Sequence, residues 1–299
     1  LKVSVLNLPY NVEGKGVSGG SGPEALVHAG LIDKMKEQGL DVSGVHTIQL
    51  SAEEEKQYGG WNRVGISGGH LADSVSEIRG DNGFVLGLLA DCNGVLGMLG
   101  GLQHPKGNSQ PVRVGLVYID AHGDYNTPET SPSGMLGGMP VAVAAGKALH
   151  RLRIQNKLIY PLQSPDIKMV GMRDLDDLER EAIIGDGLEI VREKDIIEQS
   201  DHLFTMMDRL SQREDVIYIH IDLDILDPSV APAAGLPSKG GLTGLQLGAA
   251  LQKLVAYPKV VALAAVSYRA DKDQDQRTLH EVLEVILGGT MGLANRIKN

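Results

Sequence analysis

VRVGLVYIDAHGDYNT, residues 112–127, runs an apolar segment straight into Asp120, His122 and Asp124, spaced two apart. Up to Ile119 the residues are apolar on both sides of the pleat, as in a strand covered on both faces. Three side chains able to hold a metal stand at the exit of that buried strand.

Further runs of strand length lie on either side of it: residues 2–8, 82–90, 168–174, 188–193, 215–224 and 260–268. Helical patterns separate them. In residues 31–40, Leu31, Ile32, Met35 and Leu40 share one helix face. Residues 94–102 and 243–257 also read as helices, and another starts at Leu178. Strand alternating with helix predicts an α/β protein with a parallel sheet covered on both faces. No repeat or low-complexity linker interrupts it, so a single domain over residues 1–299 is expected. The Gly-rich stretches 13–23 and 65–70 read as loops, and His70 as a loop histidine. The glycines of 14–22 lack the ordered spacing and Lys-Ser/Thr of a phosphate-binding loop.

A net charge of −10 without a basic cluster argues against a nucleic-acid surface. No segment reaches the length of apolar residues that a membrane helix needs. The amino terminus reads as a strand rather than a signal peptide. The single cysteine, Cys92, excludes an intramolecular disulfide, and a cytoplasmic location is expected.

A second acidic group follows the run at 215–224, where Asp222 and Asp224 sit among Ile221, Leu223 and Ile225. In parallel α/β sheets ligands bind beyond the carboxyl ends of the strands. Asp120 and Asp222 each end a strand, and Cys92 lies just past a third. Four carboxylates buried at one edge are costly without compensation, and His122 alone cannot offset them. One or two divalent cations would, and two held 3.5–4 Å apart by bridging carboxylates activate water for hydrolysis. Each residue alone has a plainer reading. Asp120 reads equally well as a helix N-cap, Cys92 as a core cysteine and Asp227 as a turn former before Pro228. His220 reads as a buried histidine behind the cluster rather than a ligand.

Taken together, these residues resemble the ureohydrolase superfamily of arginases, agmatinases and formiminoglutamases. The two most specific matches are DAHGDYNTPET (120–130) and IDLDILDP (221–228). VGMRDLDDLERE (170–181) is similar to the segment that carries substrate-contacting acids, and residues 16–42 to the amino-terminal loop and helix. The resemblance implies a three-layer α/β/α sandwich, arginase-like, with two manganese ions at the edge of its central parallel sheet. It implies that Asp120 and Asp222 bridge both metals, that Asp124 completes the first site, and that His122 and Asp224 complete the second. Asn126, Ser133, Asp176 and Glu179 are then the substrate-binding residues, and Asp124 the catalytic proton acceptor. Homo-oligomers, trimers or hexamers, are common in the superfamily.

Three positions depart from the superfamily pattern. Cys92 stands where the first histidine ligand belongs; a softer thiolate weakens the preference for manganese and admits zinc, iron or cobalt. Gly137 stands where arginases carry a proton-shuttle histidine, with Met135 in place of an asparagine. Ser267 falls close to the glutamate that binds the guanidinium. The cysteine and the missing histidine resemble an atypical branch that includes the N-omega-hydroxyarginine hydrolase of cycloserine biosynthesis. The expected function is therefore binuclear-metal-dependent hydrolysis of a C–N bond in a linear guanidine or amidine, with hydroxyguanidino and formimino compounds as candidate substrates. His70 or His104 could replace the missing acid if folding brings either near Gly137, though each reads more simply as a surface histidine. The alternative is a catalytically inactive metal-binding protein of the same fold with a binding or scaffold role.

Overall fold

The apolar runs become strands of one sheet. A computed structural model describes residues 1–298. Its eight strands are β1 (Lys2–Leu8), β2 (Asp41–Thr47), β3 (Phe84–Leu89), β4 (Val114–Ile119), β5 (Ile167–Val170), β6 (Glu189–Val191), β7 (Val216–Asp222) and β8 (Val260–Val266). All are parallel, in the order β2-β1-β3-β8-β7-β4-β5-β6. The two faces carry separate apolar clusters, one around Leu86, Ile119 and Leu263, the other around Val85, Tyr118 and Ala264. Helices cover both, giving the three-layer arrangement. β3, β4 and β8 are buried along their whole length, which is why they read as unbroken apolar runs.

Four stretches correct the sequence reading. β2 was not anticipated. It is an edge strand, mostly exposed, and its sequence DVSGVHT carries no apolar run to announce it. The stretch 65–70 is not a loop but the middle of a helix, Gly60–Gly80. Its glycines serve packing against the helix Gly94–Gln103: a Cβ on Gly97 would lie 2.5 Å from the Gly68 carbonyl oxygen. Part of 13–23 is also ordered, with a 3-10 turn at Ser18–Ser21 and a helix starting at Gly22. The run at 168–174 is a strand only as far as Val170.

The strand order positions the site. β3, β8, β7 and β4 are adjacent, and all four deliver their carboxyl ends to the same edge. The chain reaches one outer half of the sheet from β1 to β2 and the other from β4 to β5 and β6, so the centre holds the crevice where ligands bind in such folds.

Candidate metal centre

Each central strand contributes one polar side chain as it ends. Cys92 follows β3 in a turn held by Asp91, whose Oδ1 accepts the Asn93 N–H at 3.0 Å. Asp120 follows β4 directly, and Asp222 is the last residue of β7. The chain then tightens into a 3-10 turn, Leu223–Ile225, in which the Asp224 N–H donates to Asp222 Oδ1 at 3.0 Å. That turn folds Asp224 back beside Asp222. Ser267 follows β8 with φ 70° and donates its hydroxyl to Asp222 Oδ2 at 2.7 Å.

These side chains converge. Cys92 Sγ lies 2.9 Å from Asp222 Oδ2 and 3.7 Å from Asp120 Oδ2. His122 Nδ1 lies 3.4 Å from Asp120 Oδ1 and 3.3 Å from Asp224 Oδ2. Two groups result, Cys92–Asp120–Asp222 and Asp120–His122–Asp224, each with its ligand atoms within 4.8 Å of one another. Asp120 belongs to both; Asp222 belongs to the first. Cys92, Asp120, Asp124, Asp222 and Asp224 are all buried.

Burial and the neighbouring carboxylates push the carboxyls of Asp120 and Asp222 well above the usual range. Burial, with Asp222 close by, likewise raises the Cys92 thiol. For His122, burial works against the cation, but Asp120 and Asp224 outweigh it and push the imidazolium up to about 12. A single cation facing this many buried acids is an incomplete solution. Asp224 Oδ1 is buried without a hydrogen-bond partner. Its other oxygen accepts the Leu236 N–H at 3.2 Å, where a Cβ on Gly235 would come within 2.7 Å of it. Oxygen donors, one imidazole and one sulfur, short of positive charge and with an orphaned oxygen, suit divalent cations.

Asp124 stands beside the two groups rather than in either. It has φ 48°, its Oδ2 accepts the Tyr118 hydroxyl, and burial raises its carboxyl to about 7. Glu179 is buried, accepts the Tyr125 N–H at 2.8 Å and closes a capping box with Asp176 at the start of the helix Asp177–Gly185. It thereby ties that helix to the loop carrying Asp124. Asn126 Nδ2 donates to Asp176 Oδ2 at 2.9 Å, so these two share one rim. Ser133 is exposed on the loop that leads to Met135 and accepts the Met135 N–H at 3.2 Å. Beyond it, a Cβ on Gly137 would meet only the Met135 side chain, at 3.8 Å.

Neither substitute histidine comes to Gly137. His70 bonds Glu54 at 2.9 Å and lines a groove of about 650 Å³ with His46 and Asp73, beside β2. His104 ends the helix Gly94–Gln103, which starts next to Cys92 and carries it about 15 Å toward the opposite edge. His220 lies behind the cluster, fully buried, bonded at Nδ1 to the Tyr218 hydroxyl and held neutral by burial, its pKa down at about 3. Asp227 accepts the Ser229 N–H at 2.8 Å, as a turn former does.

Arg173 was missed. Its guanidinium donates to the carbonyl of Asp224 at 2.9 Å, to Ser238 at 3.2 Å, to Ile225 at 3.3 Å and to Lys239 at 3.2 Å, and pairs with Glu193 at 3.0 Å. It clamps the loop that bears Asp224. In sequence it is one more arginine in an acidic segment, and carbonyl partners leave no pattern. Arg173→Ala is expected to cost about 2–3 kcal/mol in urea unfolding. Arg173→Lys should recover only part, since an ammonium cannot reproduce the fork.

The sequence model of the Arginase family matches residues 1–289. The chain is 28% identical over 300 residues to the arginase of Bacillus caldovelox, covering 97% of this chain and 98% of that one. The crystal structure of arginase from Bacillus subtilis superposes with a TM-score of 0.84 at 26% identity, over 97% of this chain and 98% of that chain. Formimidoylglutamase from Bacillus subtilis subsp. subtilis str. 168 shares the fold, with a TM-score of 0.72 at 17% identity over 98% and 87%.

Proposed function

Because the chain belongs to the arginase family, we propose that it is a hydrolase of guanidino or amidino compounds that works with two divalent ions. Cys92, Asp120, His122, Asp124, Asp222 and Asp224 would hold them. The observation that carries this reading is the buried acid cluster with its unpartnered Asp224 Oδ1. Bound divalent ions supply a water nucleophile at neutral pH and positive charge for the developing transition state. Manganese is the first candidate, and the Cys92 thiolate also admits zinc, iron or cobalt.

The protein's own groups divide the remaining work. Asp120, shared by both ligand groups, is the first candidate for a bridge, and Asp222 the second. Asp124 is the residue that would accept the proton of the attacking water. Asn126, Ser133, Asp176 and Glu179 form the side on which the rest of the substrate is held. Gly137 donates no proton to the departing nitrogen, and the Ser267 hydroxyl, already given to Asp222, presents no charge to a guanidinium.

Those two positions favour a second reading, a metal-binding protein without catalysis. A screen of metal-loaded protein against guanidino, hydroxyguanidino and formimino compounds separates the two. Release of urea, hydroxyurea, formamide or ammonia is expected; silence across the panel leaves the second reading.

Cys92 gives an independent check. Cys92→Ser is expected to empty one of the two sites, and Cys92→His to refill it with a stronger preference for manganese. Cobalt-loaded protein should show an intense near-ultraviolet thiolate band that the serine variant lacks. If Cys92 only fills space, serine leaves metal content intact and histidine merely destabilises by overpacking.

A further inference from the structure

Asp124 is held from behind by a row of aromatic side chains that no ligand motif contains. Its Oδ2 accepts the hydroxyl of Tyr118, a fully buried residue of β4. Tyr118 is the register partner of His220 on β7, and their rings stack with centroids 4.9 Å apart and planes 2° from parallel. His220 is fixed in turn by the Tyr218 hydroxyl, 2.7 Å from its Nδ1. Tyr218, His220 and Tyr118 thus form a buried sequence of contacts that ends on a carboxylate of the metal centre.

A phenylalanine at 118 would fill the same apolar space. A hydroxyl in so dry a place is costly unless it has a partner, and its partner is Asp124. Among the described residues, Tyr118 is also the one side chain that donates a hydrogen bond to that carboxylate. The remaining freedom of Asp124 is small, since its backbone sits at φ 48° and its carbonyl accepts the Val141 N–H at 3.0 Å.

We propose that Tyr118 is a positioning residue: it occupies Oδ2 of Asp124 and leaves Oδ1 as the single oxygen offered to a metal. The stack on His220 aims the hydroxyl, so the carboxylate enters the centre already oriented and cannot swing or chelate through both oxygens. This rests on the reading of Asp124 as a ligand. Groups behind a ligand commonly change metal affinity by about 10–100-fold when removed.

The test uses the full chain, stripped with a chelator and titrated with manganese and with cobalt by calorimetry, cobalt absorption being followed in parallel. Wild type, Tyr118→Phe, Asp124→Asn and the double variant form a cycle. Tyr118→Phe is expected to weaken one of the two sites by about 10–100-fold and to shift its cobalt spectrum, leaving the other site unchanged. In the Asp124→Asn background the same change should have no further effect, because the tyrosine acts through that carboxylate. Tyr10→Phe removes another buried tyrosine hydroxyl, one given to Glu55 and touching neither Asp124 nor His220, and should keep wild-type affinity. Unchanged affinity in Tyr118→Phe overturns the proposal. So does an equal loss in Tyr10→Phe, or one that persists without Asp124, since loss of any buried hydroxyl then accounts for it. Wild-type protein that takes up no metal at all overturns the metal centre itself.

Discussion

Asp222→Asn is expected to leave the protein with almost none of its metal. Asp222 belongs to the group with Cys92 and also holds the turn that presents Asp224 to the other group: Asp224 donates its N–H to one oxygen, and Cys92 and Ser267 converge on the other. Wild-type protein, gently reconstituted, should carry about two equivalents; the asparagine variant should carry little of either. Thermal melting separates a lost ligand from a damaged fold. Burial and the Asp224 charge raise the Asp222 carboxyl, so folding disfavours its ionised form. Its contribution to stability therefore falls as pH rises above the ordinary carboxylate range. Asparagine removes that charge, and the Ser267 hydroxyl can turn to accept from the new amide. The metal-free variant should thus melt no lower than metal-free wild type, while metal-loaded wild type melts above both. Full metal content in the variant would sink the ligand assignment.

The second large effect concerns substrate. Arginine presents a cation and expels an alkyl amine whose conjugate acid has a pKa of about 10. Such an amine must gain a proton as it leaves, and a placed acid contributes about 10²–10⁴-fold. Gly137 has none to give, and Ser267 places no carboxylate against the cation. We expect kcat/KM for arginine to lie far below that for a less basic N-hydroxyguanidine, with formimino compounds the other class to test. The deficit is partly reversible. Gly137 lies in a 3-10 turn, Leu136–Gly138, without a positive φ, and a Cβ there meets only the Met135 side chain. Gly137→His therefore meets no clash at its Cβ and should raise arginine turnover by about 10²-fold or more. Arginase-level turnover of arginine by the unmodified protein would show this argument to be wrong.

What could be read in advance followed from hydrophobicity. β3, β4 and β8 are buried along their whole length and form unbroken apolar runs, β7 is interrupted only by His220, and the acids beyond β4 and at the end of β7 mark the strand ends. Asp120, His122, Asp222 and Asp224 were legible for that reason. β2 was not, because an exposed edge strand needs no apolar face. Nor was the helix Gly60–Gly80, whose glycines look like loop residues until a second helix lies against them. Within the site, side-chain direction was the hidden part. Tyr118 reads as one more core aromatic, since nothing along the chain shows that its hydroxyl meets Asp124 six residues later. The bend at Ser267 that turns its hydroxyl onto Asp222 depends on contacts with the loop at Gly235, 32 positions away by number, whose N–H bonds the Ser267 carbonyl at 2.8 Å. Arg173, with its carbonyl partners spread from Asp224 to Lys239, was beyond reach for the same reason.

The most direct measurement of the central claim is turnover against metal loading. Chelator-stripped protein would receive manganese in fractions of an equivalent and be assayed with an N-hydroxyguanidine, hydroxyurea being the read-out. The account predicts no activity in the stripped protein and activity that climbs to a plateau near about two equivalents per chain. Undiminished turnover without metal, or none with both sites filled on any guanidino, hydroxyguanidino or formimino compound, would contradict it.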